Sequence, residues 1–291
     1  MEAKPLPDPK DLVAVALKKV TSIATLPEVT AKIIATVEDP KSSASQLHKI
    51  VAHDPALCTR ILKVVNSAFY GLPGQIGSIE RAIVLLGLNA VKNIAVAASL
   101  GQLFRGAQLC EGYTAKDLWT HCIAVGVTAR ELAKQSKLPL ADEAFLAGMI
   151  HDLGMIVALQ TGPDKLRQAC ETARAQQQDF VEIERAMTGG VDHQMLGMAL
   201  AEAWKFPRPH QLVAGYHHTP MLLSDDNRVL VGLVYVADTL CCAANQGFNL
   251  TAVRQKVDPQ LLGDLRIDPL VVERVNQNLP TLVQTAAGVL G

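Results

Sequence analysis

Apolar residues recur at helical spacing along almost the whole chain, and the breaks between the runs carry start and stop signals. Val29, Ile33, Ile34 and Val37 predict a helix opening at Pro27 and running through Asp39. Ser42 or Ser43 then caps a second run containing Leu47, Ile50 and Val51. Asp54-Pro55 is a start signal in which the carboxylate caps and the proline fills the first turn, with Leu57, Ile61, Leu62 and Val65 as the buried face. Gly71, Pro73, Gly74 and Gly77 interrupt the chain before Ser78 caps a helix ending near Gly87, and Asn89 begins another that reaches about Phe104. The stretch Arg105 to Thr114, with two glycines and few apolar residues, is the first predicted boundary. A long helix follows, striped by Leu118, Cys122, Val125, Ala129 and Leu132, with His121 beside the stripe. Shorter helices run to Asn245, punctuated by Thr161-Gly162-Pro163, Gly189-Gly190, Pro207, Pro209 and Pro220. From Asn249 onward two or three weaker helices are expected, the last from about Pro269 to Leu290. Alternating strands and short internal repeats are not seen, so the predicted class is all-α.

Two places break the apolar pattern in a chemically pointed way. His151-Asp152 interrupts the run from Ala144 to Ile150, and Asp238 interrupts the run from Val229 to Ala237. A carboxylate in such a run is buried, and burial is costly unless it is paired, hydrogen-bonded or bound to a cation. His121, His193 and the adjacent His217-His218 fall in the same segment, so five of the eight histidines accompany the two aspartates. A lone histidine on an apolar face is usually a core residue with satisfied hydrogen bonds. The combination points instead to a divalent ion, one or two of iron, manganese, zinc or magnesium, held between helices without thiolates. Adjacent helical side chains diverge by about 100°, so both neighbouring pairs are expected at helix ends or irregularities.

Composition narrows the setting. The chain has 291 residues, 49% hydrophobic and 19% charged, which suits a globular fold with a large core. A net charge of −1 with scattered basic residues gives no field for nucleic acid. The most lipid-like segment, Ile83 to Phe104, is interrupted by Asn89, Lys92, Asn93 and Gln102, so no membrane span is expected. The six cysteines form no C-x-x-C pair, and Cys241-Cys242 reads as core packing. A reducing compartment such as the bacterial cytoplasm is the expected location.

The order His121, His151-Asp152, Asp238 resembles the metal-binding signature of the HD superfamily, helical domains that hydrolyse phosphate esters. The segments Asp54-Pro-Ala-Leu-Cys-Thr-Arg-Ile-Leu-Lys-Val-Val-Asn-Ser-Ala-Phe-Tyr-Gly71, Ser78-Ile-Glu-Arg-Ala-Ile-Val-Leu-Leu-Gly87 and Phe145-Leu-Ala-Gly-Met-Ile-His-Asp-Leu-Gly154 resemble HDOD domains, the HD-related output domains of bacterial signalling proteins. The likeness spans roughly Val20 to Ala243. It implies an HD-domain-like multi-helical bundle with an amino-terminal helical subdomain: an extension over 1–19, an amino-terminal half over 20–108, a metal-site half over 109–245 and a carboxy-terminal helical extension over 246–291. It further implies that His121, His151, Asp152 and Asp238 hold one metal, and that His193, His217 and His218 serve a second, as in the related HD-GYP branch, with Asp152 between them. In an active hydrolase Asp152 would be the catalytic aspartate, and two ions would activate water and neutralise phosphoryl charge. Asp117, four residues before His121, is a candidate outer partner, although a solvated acid is the plainer reading.

Two departures weigh against an enzyme. Leu153-Gly154-Met155 lacks the lysine that HD-GYP enzymes carry after the His-Asp pair, and Thr219 to Ser224 lacks their Gly-Tyr-Pro motif. Lys165 and Arg167 are the nearest basic residues in sequence, with no positional warrant as phosphate contacts. HDOD domains are generally regarded as non-catalytic regulators. The expected function is therefore a signal-transduction module acting through a protein partner or a small nucleotide ligand, with the metal site retained. The alternative is a metal-dependent phosphohydrolase or cyclic-nucleotide phosphodiesterase. Asn66 to Gly71, with Phe69 and Tyr70, is a candidate partner surface whose plainer reading is helix termination with both rings tucked inward. The carboxy-terminal helices either complete the core or support self-association.

Overall fold

Side-chain caps set where most helices begin, and a computed structural model describing residues 8–20, 28–37, 39, 41–104 and 106–290 shows how they pack. Helix α1 (Pro9–Lys19) is capped by Asp8. Helix α2 (Glu28–Val37) stops short of Asp39, and the expected start at Pro27 lies outside the described residues. Ser43, not Ser42, caps α3 (Ala44–Ala52) in a reciprocal capping box with Gln46. Asp54 accepts from the Leu57 amide at 2.8 Å to open α4 (Pro55–Val65). Asn66 then pins the following loop through both amide atoms, donating to Ile76 O and accepting from Ile76 N. Ser78 opens α5 (Ile79–Leu86), which Gly87 ends at a φ of 89°.

The predicted single helix to Phe104 is instead α6 (Leu88–Leu100) followed by a 3₁₀ turn over Gly101–Phe104. Its polar interruption is internal structure: buried Lys92 donates to Thr36 O and to Ser42 Oγ, tying α6 to the end of α2 and the approach to α3. The expected boundary at 105–114 contains a small antiparallel hairpin, β1 (Gln108–Cys110) with β2 (Tyr113–Thr114), turned by Gly112 at a φ of 79°. Three-residue and two-residue strands are too short to show alternation in sequence. Apart from this hairpin the fold is all-α among the described residues.

The second half winds around α7 (Ala115–Gln135), whose predicted stripe is fully buried. Against it lies α8 (Ala141–Ile150), while α9 (Leu153–Thr161), separated from α8 by His151-Asp152, packs on the helix that His193 opens. Then come α10 (Pro163–Gln176), α11 (Phe180–Thr188), α12 (His193–Ala203), α13 (Arg208–Tyr216) and α14 (Asp225–Ala243). Helices α15 (Pro259–Leu265) and α16 (Pro269–Leu290) follow, with α16 lying along α7 and reaching α4. Close backbone approach fixes the crossing of α7 and α8: a Cβ on Gly148 would lie 2.6 Å from Gly126 Cα. Gly154 is tighter still, since its Cβ would sit 1.8 Å from His193 O. Both contacts sit beside the suspected site, so its helices are held at backbone distance.

Phe69 and Tyr70 are turned inward. The Arg130 guanidinium lies 4.7 Å from the Phe69 ring centre and 4.5 Å from that of Tyr70, and pairs with Asp142 at 3.3 Å. Phe69 also packs on Phe145 of α8 at 5.7 Å. The candidate partner surface is therefore a joint between the amino-terminal helices and the α7–α8 pair. The stretch Ala141–Thr161 is long and apolar enough to cross a membrane by composition, but 78% of its most apolar 18-residue window is buried within the fold. It, rather than Ile83 to Phe104, is the most lipid-like stretch, because Gly87 and Gly101 break the latter.

Gly148→Ala should cost more than about 3 kcal/mol in denaturant unfolding, because a methyl group meets backbone on the facing helix. Gly288→Ala, where the added Cβ meets nothing, should stabilise by up to about 1 kcal/mol. A second test uses His210, buried against Phe206 with neither ring nitrogen hydrogen-bonded, so that burial pushes it down to about 4. The unfolded chain binds the proton near pH 6.5, so this histidine's neutral native state is least costly above that pH and stability falls as pH drops towards 4. His210→Leu should gain on the wild type by about 1.4 kcal/mol per pH unit across that window. A stability gap that does not change with pH would refute the assignment.

Candidate metal centre

All seven sequence-predicted site residues converge. His121 comes from the second turn of α7 and Asp238 from the apolar stretch of α14. His151 and Asp152 occupy the break between α8 and α9, the irregularity that adjacent side chains need to face one centre. His193 opens α12, held there by Asp192, which accepts from Met195 N and pairs with Arg185 at 2.7 Å. His217 ends α13 and His218 follows it. Six of the seven have fully buried side chains, and His218 is 8% exposed.

The two Asp152 oxygens face opposite ways. Oδ1 lies 3.5 Å from His193 Nε2 and 3.4 Å from His217 Nε2, whereas Oδ2 lies 3.4 Å from His151 Nε2 and 4.0 Å from His121 Nε2. His121 Nε2 is also 3.1 Å from Asp238 Oδ1. Potential ligand atoms of Asp152, His193, His217 and His218 all fall within 4.8 Å of one another, as do those of His121, His151 and Asp152. Two ligand groups thus share one carboxylate.

The other ring nitrogens define the tautomers. His193 Nδ1 donates to Glu184 Oε2 at 2.5 Å, and His151 Nδ1 to Gly148 O at 2.7 Å. His217 Nδ1 donates to Val213 O at 3.1 Å, His218 Nδ1 to Gln255 Oε1 at 2.8 Å, and His121 Nδ1 to Gln246 O at 3.3 Å. Because each of these partners is an acceptor, every Nδ1 carries the proton and every Nε2 of a neutral ring turns a lone pair inward. His193 Nε2 lies 3.3 Å from His217 Nε2 and 3.1 Å from His218 Nε2. Lone pairs at such distances repel, and one proton on His193 can serve only one of the two contacts. His121 Nε2, His151 Nε2 and both Asp152 oxygens are buried without any hydrogen-bond partner. Divalent cations, one in each ligand group, would satisfy these atoms, so the donor set fits a metal.

Charge follows the same geometry. Burial opposes ionisation of Asp152, but the imidazoles of His151, His217 and His193 hold its carboxyl well below the usual range. Asp238 is likewise held low against burial, chiefly by His121. Burial, reinforced by the neighbouring His217 and His193 rings, drives His218 down to about 3. Burial would also lower His193, yet the Glu184 carboxylate pushes it up to about 9.

Several partners were not foreseen. Glu184 is buried and binds both the amide and Nδ1 of His193. Its signal was present, since it lies four residues after Phe180 on a buried helix face, but it reads as an ordinary charge without its partner. Gln255 accepts from His218 and donates to Thr239 and Asp238. Cys242 donates to Asp238 Oδ1 at 3.3 Å, and burial together with that carboxylate keeps the thiol protonated, so it is more than packing. Asp117 is no ligand: it completes the capping box with Thr114. A cleft of about 390 Å³ touches the centre's outer side through Thr239, Cys242 and Gln255. Its cationic residue is Arg174, with no carboxylate among the lining, whereas Arg167 pairs at the surface with Asp164 and Lys165 lines a separate cavity under α1.

The sequence profile of the HDOD domain matches residues 23–220. The chain belongs to the HDOD family. A relative in Treponema pallidum (strain Nichols), itself uncharacterized, is 25% identical over 228 residues, covering 78% of this chain and 44% of its own length. This HDOD chain thus spans under half of the curated relative that it matches. Among solved structures, an HDOD domain protein of unknown function from Geobacter sulfurreducens is 20% identical, with a TM-score of 0.80 over 97% of this chain and 99% of that one. A candidate phosphohydrolase from Shewanella amazonensis SB2B is 22% identical, with a TM-score of 0.73 over 96% and 98% of the two chains. A candidate signal transduction protein from Marinobacter aquaeolei VT8 is 23% identical, with a TM-score of 0.77 over 97% of this chain and 65% of that one. At these identities the structural likeness shows the shared fold.

Glu184→Ala leaves two buried donors of His193 without an acceptor. It should lower unfolding free energy by about 3 kcal/mol, and Glu184→Gln, which keeps one acceptor oxygen, by clearly less. Equal losses in the two variants would show that Glu184 acts only by filling space.

Proposed function

We propose that this HDOD chain is a bacterial regulatory module built around a divalent-metal centre, acting by binding a protein partner or small nucleotide in the reducing cytoplasm. The inward convergence of five Nε2 lone pairs on Asp152 and Asp238 carries the metal assignment. His193, His217 and His218 would hold one ion and His121, His151 and Asp238 the other, with Asp152 within reach of both. Five imidazoles favour iron, manganese or zinc over magnesium. The six cysteines are all free, which suits a reducing compartment.

Burial favours regulation over catalysis. A catalytic metal keeps a position open to substrate. Here six of the seven side chains are sealed, and Gln255 and Cys242 hold the Asp238 side from the cleft. Bound divalent ions supply Lewis acidity, which in a hydrolase activates water and neutralises phosphoryl charge. A second reading, metal-dependent phosphohydrolase or phosphodiesterase, is favoured by the complete ligand set and the carboxylate-free cleft with Arg174 on its wall. In that reading Arg174 binds a substrate phosphate and Asp152 is the catalytic aspartate. A Shewanella relative in fold carries the phosphohydrolase name, and a Marinobacter one the signalling name.

Protein purified without chelators should contain close to stoichiometric iron, manganese or zinc by elemental mass spectrometry. The double variant His151→Ala, Asp152→Ala should lose it. Metal-free wild type whose stability does not respond to added metal would defeat the proposal. Turnover of cyclic dinucleotides or nucleoside phosphates that falls at least 100-fold in the double variant and at least tenfold in Arg174→Gln would instead select the hydrolase.

A further inference from the structure

Away from the metal centre, a second cavity lies on the seam between the two halves of the chain. It encloses about 370 Å³ between α4, the 3₁₀ turn after α6, the start of α7 and the end of α16. Arg60 and Lys63 reach it from α4 and Lys116 from α7, and among the described residues no carboxylate lines it. Arg60 and Lys63 stand three residues apart, hence on one helix face. Arg60 has one carboxylate partner among the described residues, Asp54 Oδ2 at 4.0 Å, whose Oδ1 caps α4. Among the described residues neither Lys63 nor Lys116 has a carboxylate within ion-pair distance. Arg60 Nε is buried with no hydrogen-bond partner. Phe104 and Trp119 stack at 4.8 Å, and both line the same cavity.

Three cations converging with a single carboxylate near them, Asp54 at 4.0 Å from Arg60, carry a net positive charge, and a concave wall of low dielectric concentrates their field. An anion of matching charge relieves this. The volume suits a small organic ligand, and the aromatic pair gives an apolar surface for its non-ionic part. We infer that the seam cavity binds a small molecule bearing a polyphosphate group, with Arg60, Lys63 and Lys116 on the phosphates. Such a ligand bridges α4 of the amino-terminal half and α7, which carries His121 five residues beyond Lys116. That its binding is the module's input rests on the function proposed above, but the binding itself does not.

Titration calorimetry on the full chain with tripolyphosphate, ATP and adenosine, without added divalent metal, tests the inference. Tripolyphosphate and ATP should each bind at one site, more weakly as salt rises, while adenosine shows no binding. Tighter binding of ATP than of tripolyphosphate would identify a nucleotide as the ligand, and equal binding would identify free polyphosphate. Lys63→Gln with Lys116→Gln, both exposed positions, should weaken binding at least tenfold without changing metal content, and Arg60→Gln should do so independently. Arg174→Gln, in the cleft beside the metal centre, should leave it unchanged. The inference is overturned if neither polyphosphate binds, or if binding survives the seam variants and is lost in Arg174→Gln.

Discussion

Two carboxylates and five imidazoles share one dry space at the centre of this molecule, and their mutual electrostatics constrain everything around them. An ionised aspartate inside a helical core is tolerated only where opposite charge or donors surround it. Asp152 has no donor in hydrogen-bonding geometry, and the imidazoles around it offset its charge only when they are themselves protonated. The arrangement is coherent with cations between the groups and frustrated without them. Stability and metal occupancy are for that reason two measurements of one interaction.

The surrounding helices are arranged to supply that geometry. The break between α8 and α9 lets His151 and Asp152 face the same point, and the end of α13 does the same for His217 and His218. Glycine at 126, 148 and 154 brings the carrying helices to backbone distance, which shortens the span that each side chain has to cross. An outer layer of Glu184, Gln255 and three backbone carbonyls then fixes each ring's orientation. Mutating that outer layer would act on a bound metal through ring tautomer and angle rather than through direct contact.

The amino-terminal half is connected to this centre by packing, not by ligands. Phe69, Tyr70 and Arg130 form a stacked joint onto α7 and α8, and Phe69 touches Phe145, three residues before Gly148. The seam cavity lies on a different border of the same two halves. The proposed regulatory role needs some element whose state both halves sense, and these contacts are where such coupling has a physical path.

Local rules were legible in the linear chain. Helix class, the caps at Ser43, Asp54 and Ser78, and the final helix from Pro269 to Leu290 follow from propensity and periodicity, because they depend on neighbours within four residues. His151, Asp152 and Asp238 stood out because charge in an apolar run is expensive wherever the run folds, and His121, His193, His217 and His218 joined them as company in the same segment and through the likeness to the HD signature. Glu184, Gln255, Cys242 and Arg174 did not stand out, since nothing in a surface-like glutamate, a loop glutamine or a helical arginine marks its partner before the chain closes. Phe69 and Tyr70 did stand out, with inward packing as the plainer reading, but not their neighbours Arg130 and Phe145, some sixty to seventy-five residues away. Sequence determined which groups required company, through the cost of burying charge. Tertiary structure alone decided which company they keep, because hydrogen bonds and ring contacts are set by proximity in space, to which distance along the chain is no guide.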